Sequence, residues 1–307
     1  MINIKQLVND EQCYQFIRQR RWPDGVSCPH CQSQQVEGNG NHQKQIARKR
    51  YRCLACHRGF DDLTLTIFSG HHQPLKVWIL CLYFMGLNLS NQQIAQELDI
   101  NKDDVQKMTS QLRESIFARL PVPQLSGAVE ADEVYVVAGH KGNPEAVKKG
   151  RKGRRNRLKG ARGRGTLEKE KPPIFGLVER GGQVIIRMLE NVKQKTISPI
   201  IKQIVNTDTL IYTDEYNIYS RLKSWGYQHK TVCHGKGEYA RDEDRDGFHE
   251  VHVNTIEGCW SLLRSWLRPH RGISQEKLPF YLALFEFVYN IKCRGKSLLN
   301  DLIELLI

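Results

Sequence analysis

Apolar residues recur at helical spacing from position 74 to about position 120. The apolar face of the first such helix carries Leu75, Trp78, Ile79, Leu82 and Tyr83. Ser90 is a typical N-cap for a second helix, and a short turn at 99–101 precedes a third. Two short helices joined in this way are typical of a helix-turn-helix, although an ordinary helical connector has the same pattern. The segment 71–122 is therefore predicted to be helical.

Beyond position 123 the pattern changes to strands that alternate with helices. Strands are predicted over 127–137, 174–178, 184–189, 209–213 and 228–233. Helical spacing covers 196–205, 216–222, 254–264 and 276–290. Three strands, a helix, a strand, a helix, a fifth strand and further helices is the order of an RNase H-like α/β domain. We predict this fold for residues 123–307.

A polar region that contains four closely paired cysteines precedes the helical segment. Its two Cys-x-x-Cys pairs consist of Cys28, Cys31, Cys53 and Cys56. Four thiolates at this spacing suit tetrahedral Zn²⁺, and a module too small to bury its own core depends on the metal for stability. Residues 1–70 are thus predicted to form a zinc ribbon with one structural Zn²⁺. The cysteines complete the site without the neighbouring histidines His30, His57, His71 and His72.

The chain of 307 residues is basic, with 46 Lys and Arg against 33 Asp and Glu and a net charge of +13. Most of the surplus is local, because positions 141–171 contain 13 basic and 3 acidic residues. The Gly- and Arg-rich loop 139–172 cannot bury a core, and we expect it to become ordered on phosphate groups. A polyanionic partner such as DNA is predicted, since each neutralised phosphate releases counterions.

Attraction to a membrane would also explain a basic chain, but the sequence does not favour it. The longest apolar runs, 77–85 and 278–288, fall short of the roughly 20 residues that span a bilayer. The 9 cysteines are odd in number and four of them form Cys-x-x-Cys pairs, which favours metal binding in a reducing compartment. The sequence begins without a signal peptide, so we expect a cytoplasmic protein.

Three acidic residues stand where a two-metal phosphoryl-transfer site needs them. Asp132 lies on the first predicted strand of the sheet, Asp214 at the end of the fourth, and Glu257 on the helix after the fifth. Carboxylates from separate elements hold two Mg²⁺ or Mn²⁺ ions roughly 4 Å apart in such sites. Neighbouring acids compete for the same role: Glu130, Glu133, Glu215 and Glu250. Strand alternation sends Asp132 and Glu133 to opposite faces, so we expect one of the two to reach the metals.

Three motifs around these acids, at 129–135, 212–219 and 252–264, resemble the catalytic motifs of the ISXO2-like DDE transposases of bacterial insertion sequences. The resemblance covers nearly the whole chain, including the zinc ribbon and the helical segment. It implies that the catalytic and metal-binding acids are Asp132, Asp214 and Glu257.

The family also has a basic residue two helical turns after the Glu. Arg264 lies seven residues beyond Glu257 on the same helix face, where it would orient DNA or neutralise developing charge. A plain salt bridge is an equally good role for Arg264. Some relatives have an Asn near the third catalytic position, which makes Asn254 a minor rival of Glu257.

The resemblance implies an enzyme that binds the terminal inverted repeats of its element, cleaves DNA with Mg²⁺, and joins the freed ends to target DNA. It further implies a homodimer or higher oligomer when two ends are synapsed. The protein is expected to associate with the nucleoid in a bacterial cytoplasm. We expect a recognition helix at about 103–112 to enter a DNA groove. The candidate phosphate-binding residues are Arg48, Lys49, Arg50, Arg151, Lys152, Arg154, Arg155 and Arg157.

Three other classes of protein match parts of this pattern. A regulator built from a zinc ribbon and a helix-turn-helix would bind DNA without cleaving it. An RNase H-like nuclease or resolvase would hydrolyse DNA without joining it. A metal-stabilised interaction protein would have no use for the basic loop. The intact set of three acids favours an enzyme over the regulator.

Overall fold

The chain forms two compact units. The computed structural model describes residues 8–153, 163–247, 249–292 and 295–307. The first unit contains the residues up to 119 together with those from 295 onward, and the second contains residues 120–292. Each unit has its own layers of secondary structure.

The first unit begins with a helix and a small antiparallel sheet. These elements are α1 (Asp10–Arg21), β1 (Val36–Asn41), β2 (Lys49–Cys53) and β3 (Gly59–Asp61). The sheet has the strand order β1-β2-β3, and it buries only a small aromatic cluster. The cluster contains Trp22, Tyr51 and Phe60, whose ring centroids are 5.3 to 6.0 Å apart. The predicted zinc-ribbon fold is confirmed.

Three helices follow the ribbon, as the sequence predicts. They are α2 (Leu75–Gly86), α3 (Asn91–Leu98) and α4 (Lys102–Arg119). Ser90 caps α3 in a reciprocal capping box with Gln93. Asp99 then takes a left-handed conformation with φ of 46°, which turns the chain sharply enough for α4 to begin at residue 102. The helix pair α3 and α4 thus has the predicted short turn.

The second unit is built on a mixed five-stranded sheet. Its strands are β4 (Ala128–Tyr135), β5 (Pro173–Glu179), β6 (Val184–Met188), β7 (Leu210–Thr213) and β8 (Gln228–Thr231). The strand order is β6-β5-β4-β7-β8. β4 pairs antiparallel with β5 and parallel with β7. The carboxyl ends of β4 and β7 therefore lie at the same edge of the sheet.

Helices cover both faces of this sheet. The remaining elements of the unit are α5 (Pro144–Lys148), α6 (Gln194–Ile204), α7 (Asn254–Leu267), α8 (Leu278–Ile291), β9 (Ala240–Arg241) and β10 (Val251–His252). α6 packs on one face with Val129 and Ala131 of β4, and α7 and α8 pack on the other with Val134. Because side chains alternate along a strand, the even-numbered residues of β4 face α7. The predicted RNase H-like α/β class is confirmed.

Helix α8 also closes the exposed edge of the sheet at β6. Its Glu286 accepts a hydrogen bond of 2.8 Å from the backbone NH of Ile186. Asn290 accepts from the backbone NH of Val184 at 2.7 Å and donates to its carbonyl at 2.8 Å. Side chains that form hydrogen bonds with the free backbone groups of an edge strand prevent that strand from pairing with another chain.

One predicted helix has a different structure. Positions 216–222 contain the 3-10 turn Asn217–Tyr219, and a second turn, Lys223–Trp225, follows. The two turns do not join into one regular helix, and Gly226 ends the segment with φ of 96°. The prediction of an α-helix at 216–222 was wrong.

The sequence pattern did not predict the last helix, α9 (Lys296–Leu306). Its Leu298 and Leu302 are buried, and Leu298 lies so close to α2 that a Cβ on Gly86 would be 3.2 Å from it. Residues from 295 onward thus belong to the first unit, whereas the sequence placed them with the α/β domain. Within the described ranges, no helix combines the length and the apolar character needed to cross a bilayer.

Candidate functional site

The four cysteines of the ribbon meet at one point. Their sulfur atoms all lie within 4.8 Å of one another, with 3.7 Å between the sulfurs of Cys28 and Cys56 and 3.6 Å between those of Cys31 and Cys53. A tetrahedral Zn²⁺ with Zn–S bonds of about 2.3 Å places its ligand sulfurs about 3.8 Å apart. Disulfide sulfurs are only about 2.05 Å apart. The cluster has the dimensions of a structural zinc site.

Two of the three basic ribbon residues predicted to bind phosphate are exposed. Lys49 and Arg50 lie at the surface of β2. Arg48 instead forms a salt bridge of 2.7 Å with Asp61, and only 14% of its side chain is exposed. Arg48 is therefore partly engaged in holding the ribbon together.

Asp132 lies on the face of β4 that packs against α7. The indole Nε1 of Trp260 donates a hydrogen bond of 2.8 Å to its carboxylate. Gly176, the partner of Asp132 on β5, leaves the space for that indole, because a Cβ there would lie 2.7 Å from Cζ2 of Trp260. The position of the first acid is thus coupled to the position of α7.

Glu130, two residues earlier on the same face, is fully buried and anchors the start of α7. Its carboxylate accepts hydrogen bonds from Arg180 Nε at 2.7 Å, Thr255 Oγ1 at 2.9 Å and the backbone NH of Ile256 at 2.9 Å. An acidic side chain at a helix N-terminus also interacts favourably with the helix dipole. The sequence leaves Glu130 as an alternative to Asp132 for metal binding. In the structure, the partners of Glu130 instead fix the start of the helix that carries Glu257.

Glu133 extends from the opposite side of β4. Its carboxylate accepts a hydrogen bond of 2.8 Å from the hydroxyl of Tyr219. Burial raises the pKa of Glu133 to about 7, the charges of Asp132 and Asp214 add to the rise, and the bond from Tyr219 opposes it. Glu133 is thus close enough for the charges of both predicted catalytic aspartates to raise its pKa.

The adjacent acids at the end of β7 have different surroundings. Glu215 accepts hydrogen bonds of 3.0 Å from the backbone NH groups of His234 and Gly235, so it caps the 3-10 turn that starts there. Asp214 accepts a single backbone bond of 3.0 Å from Tyr216. Burial raises the pKa of Asp214, and the charge of His234 opposes the rise.

His234 also approaches the third acid. Its Nδ1 lies 4.0 Å from Oε1 of Glu257, whose side chain is half exposed. His234 therefore lies near both Asp214 and Glu257, on elements that are far apart in sequence. A histidine in a polar loop has no distinctive local pattern, so the sequence alone gives no signal for His234.

The three predicted catalytic acids share one electrostatic environment. Burial raises the pKa of Asp132 to about 6, and the charges of Asp214 and Glu257 contribute to the rise. The carboxylate oxygens of these described residues nevertheless do not all come within 4.8 Å of one another. The site is therefore wider than the coordination shell of a single small cation.

The basic residues of the central loop have several different environments. Arg151 pairs with Glu170 at 3.1 Å and donates to the carbonyl of Leu167 at 2.6 Å, while Lys152 is exposed. The guanidinium of Arg164 lies 3.3 Å above the ring of Tyr216, beside Asp214. Three predicted phosphate-binding residues lie outside the described residues: Arg154, Arg155 and Arg157.

A second group of acids lies in the loop after β9. Side-chain oxygens of Asp242, Asp244 and Glu250 come within 4.8 Å of one another. These oxygens accept hydrogen bonds from backbone NH groups of the same loop, including those of Arg245 at 2.6 Å and Gly247 at 3.0 Å. The group therefore has a local structural explanation.

Two known families match the chain. The model of the ISXO2-like transposase domain matches residues 124–290, and that of the transposase zinc-ribbon domain matches residues 8–59. The first match contains the three predicted catalytic acids and Arg264. The second contains all four clustered cysteines.

Individual proteins resemble the chain to different extents. The uncharacterized protein in transposable element ISH50 of Halobacterium salinarum is 32% identical over 308 residues, with 99% of each chain covered. An uncharacterized transposase-like protein of Haemophilus influenzae is 26% identical over 103 residues, which cover 34% of this chain and 77% of that protein. A solved Mos1 transposase paired-end complex with the left transposon end aligns over 78% of both chains with 10% identity and a TM-score of 0.31.

Proposed function

Because the chain belongs to the ISXO2-like transposase family, we propose that it cleaves the ends of its own insertion sequence at Asp132, Asp214 and Glu257 and joins them to target DNA. Family membership makes it an enzyme that acts on nucleic acid. The observation that carries the finer proposal is electrostatic. Three separate elements contribute these acids, and the charges of two of them raise the pKa of the third.

The donor set fits hard divalent cations. Mg²⁺ and Mn²⁺ prefer oxygen ligands, and a buried carboxylate with a raised pKa is stabilised by nearby positive charge. One Mg²⁺ with oxygens at about 2.1 Å keeps all its ligands within about 4.2 Å of one another, a span that the three acids exceed. A pair of ions roughly 4 Å apart has no such restriction.

Asp132, Asp214 and Glu257 would together hold these ions. When bound there, Mg²⁺ or Mn²⁺ would activate the attacking water or 3′-hydroxyl and stabilise the leaving oxygen. The protein's own residues hold the carboxylates in place. Trp260 orients the carboxylate of Asp132, and Glu130 fixes the start of the helix that carries Glu257. Groups that are already positioned require no rearrangement during the reaction.

The first unit supplies the proposed contacts to the terminal inverted repeats. Lys49 and Arg50 are exposed on the ribbon, and α4 presents Lys107 and Gln111 at its surface. Phosphate contacts fix the register of a protein on DNA, and contacts to base edges provide specificity. We propose α4 as the recognition helix. Cutting two ends in one complex needs an active site for each end, so a homodimer or higher oligomer is the proposed synaptic form.

An assay on DNA that carries the element's own ends tests this function. Wild type should cleave and join the ends in Mg²⁺, and EDTA should abolish both products. Asp214→Asn and Glu257→Gln should each lower the cleavage rate by at least about a hundredfold, because each loses a metal ligand. Glu190→Gln, which changes an exposed acid after β6, should cleave as wild type does.

The same assay distinguishes the other classes of protein. Cleavage without joined products would indicate an RNase H-like nuclease, and binding without cleavage would indicate a regulator. Full activity of both Asp214→Asn and Glu257→Gln would refute the assignment of the acids.

A further inference from the structure

A pocket of about 340 Å³ opens beside the carboxyl-terminal half of α7. One wall consists of the end of β4 and the residues that follow it, Tyr135, Val136 and Val137. The other wall consists of Arg264, Leu267, Arg268, Arg271 and Gly272. The pocket thus combines an apolar wall with three guanidinium groups.

We call this cavity the arginine pocket. Its three arginines, Arg264, Arg268 and Arg271, are exposed. Elsewhere in the second unit, buried acids hold arginines in place, as Glu130 does for Arg180 and Glu286 for Arg187. Across the described ranges, no acidic side chain forms such a pair with Arg264, Arg268 or Arg271. Like charges around one cavity repel each other, so an anion between them would be stabilised.

The framework of the pocket is firmly built. Arg268 begins a 3-10 turn that ends at His270, and Arg271 follows with a left-handed φ of 45°. Gln275 then ties this segment to the chain after β4. Its backbone NH donates to the carbonyl of Gly139 at 2.8 Å and its side-chain amide to that of Ala138 at 3.0 Å.

The pocket adjoins the predicted catalytic acids. Arg264 lies two helical turns from Glu257 on the same face of α7. Tyr135 lines the pocket, and burial raises its pKa, with the charge of Glu133 next in importance and that of Asp132 contributing. A DNA strand that runs along α7 from the acids therefore reaches the arginines.

We propose that the arginine pocket binds a phosphodiester group of DNA next to the reacting one. This inference rests on the proposed function. Guanidinium groups pair with phosphate through two parallel hydrogen bonds, which suits a site where a strand must be held in one register. The phosphate belongs either to the element's end or to the target, and binding measurements distinguish the two sources.

Salt dependence of DNA binding provides the test, because the slope of log K against log salt falls by about 0.9 for each lost phosphate contact. The full-length Asp214→Asn protein is used throughout in buffer without Mg²⁺, so cleavage does not interfere. Arg268→Ala combined with Arg271→Ala should reduce the slope by about 0.9, the amount expected for the loss of one phosphate contact. Arg268→Lys combined with Arg271→Lys should keep most of it. Arg221→Ala, an exposed arginine on the α6 side of the sheet, should leave it unchanged.

Two DNA probes separate the sources. A reduced slope with a duplex of the element's end places the phosphate in that end. An unchanged slope with the end, but a reduced slope when target duplex is added to a complex of the protein with pre-cut ends, places it in the target.

Wild-type slopes for both probes in the alanine variant, or an equal reduction in the lysine variant, would overturn the proposal. Thermal unfolding of each variant shows whether a reduced salt slope results from misfolding of the variant. Failure of wild type to cleave would refute the proposed function and leave the measured slopes intact.

Discussion

A carboxylate buried among other carboxylates weakens the fold that contains it. Burial, together with the charges of Asp214 and Glu257, raises the pKa of Asp132 from 3.8 to about 6. The folded protein therefore binds a proton more tightly at this group than the unfolded chain does. The free energy of unfolding should fall as the pH rises from about 4 to about 6. Above that range, the charge of Asp132 costs up to about 3 kcal/mol.

Asp132→Asn should consequently stabilise the protein while abolishing cleavage. In buffer without Mg²⁺ or Mn²⁺ at pH 8, we expect the free energy of unfolding to rise by up to about 3 kcal/mol. At pH 5 the gain should shrink to about half, because the wild-type carboxyl is then largely protonated. Urea titrations at the two pH values measure both quantities. Equal stability of variant and wild type at pH 8 would show that the charge of Asp132 does not destabilise the fold.

The sequence predicts acids on β4 but not their separate roles. Each of the three acids has a partner from a distant part of the chain. For Glu130, Asp132 and Glu133 these partners are Arg180, Trp260 and Tyr219, which are 50, 128 and 86 residues away. Strand alternation separates Glu133 from the other two. It cannot separate Glu130 from Asp132, because both face α7 and only the packing of that helix gives them different partners.

Helix α7 carries one of the proposed catalytic acids and determines the surroundings of another. Glu130 holds its first turn, and Trp260 in its middle lies over Gly176 while bonding to Asp132. Its amphipathic spacing predicts the helix itself. The distance between α7 and the sheet depends on the absence of a side chain at Gly176 of β5. The local sequence around Gly176 does not predict this role.

Gly176→Ala should displace α7 and disable the site. The new methyl group would overlap the indole of Trp260, and overpacking of this kind typically costs about 1–3 kcal/mol. We expect lower thermal stability together with cleavage at least about tenfold slower, as small misplacements of reacting groups have large effects on rate.

Gly258→Ala provides the matched comparison for stability. It makes the same chemical change on α7 itself, where a Cβ meets nothing within 4 Å. This variant should raise stability by up to about 1 kcal/mol, since alanine favours helices over glycine. Normal cleavage by Gly176→Ala, despite a lower melting temperature, would show that the docking of α7 does not set the active site.

At the scale of the whole molecule, local periodicity predicts the order of elements well and their grouping less well. The sheet of the second unit follows from alternating and helical patterns that each segment carries by itself. The last helix is different, because it belongs to the first unit through contacts such as that of Leu298 near Gly86. Contacts between segments so far apart in sequence leave no trace in a local pattern.

The two units should also differ in their dependence on metal. The ribbon has a small core of three aromatic rings, with Val26 and Val36 packed against them, beside its cysteine cluster. Helices, by contrast, cover both faces of the five-stranded sheet. Small zinc modules owe most of their folding free energy to the metal. Removal of Zn²⁺ with a strong chelator should therefore unfold the ribbon and leave the second unit folded.

Hydrogen exchange measured by mass spectrometry can follow both units in one sample. After chelation, amides of β2 and β3 should lose their protection, while those of β4 and β5 keep it. A dye assay should detect one released Zn²⁺ per chain, and Cys53→Ser should reproduce the loss without chelator. Unchanged protection of β2 in the metal-free protein would mean that the aromatic core suffices and that the four cysteines serve another purpose.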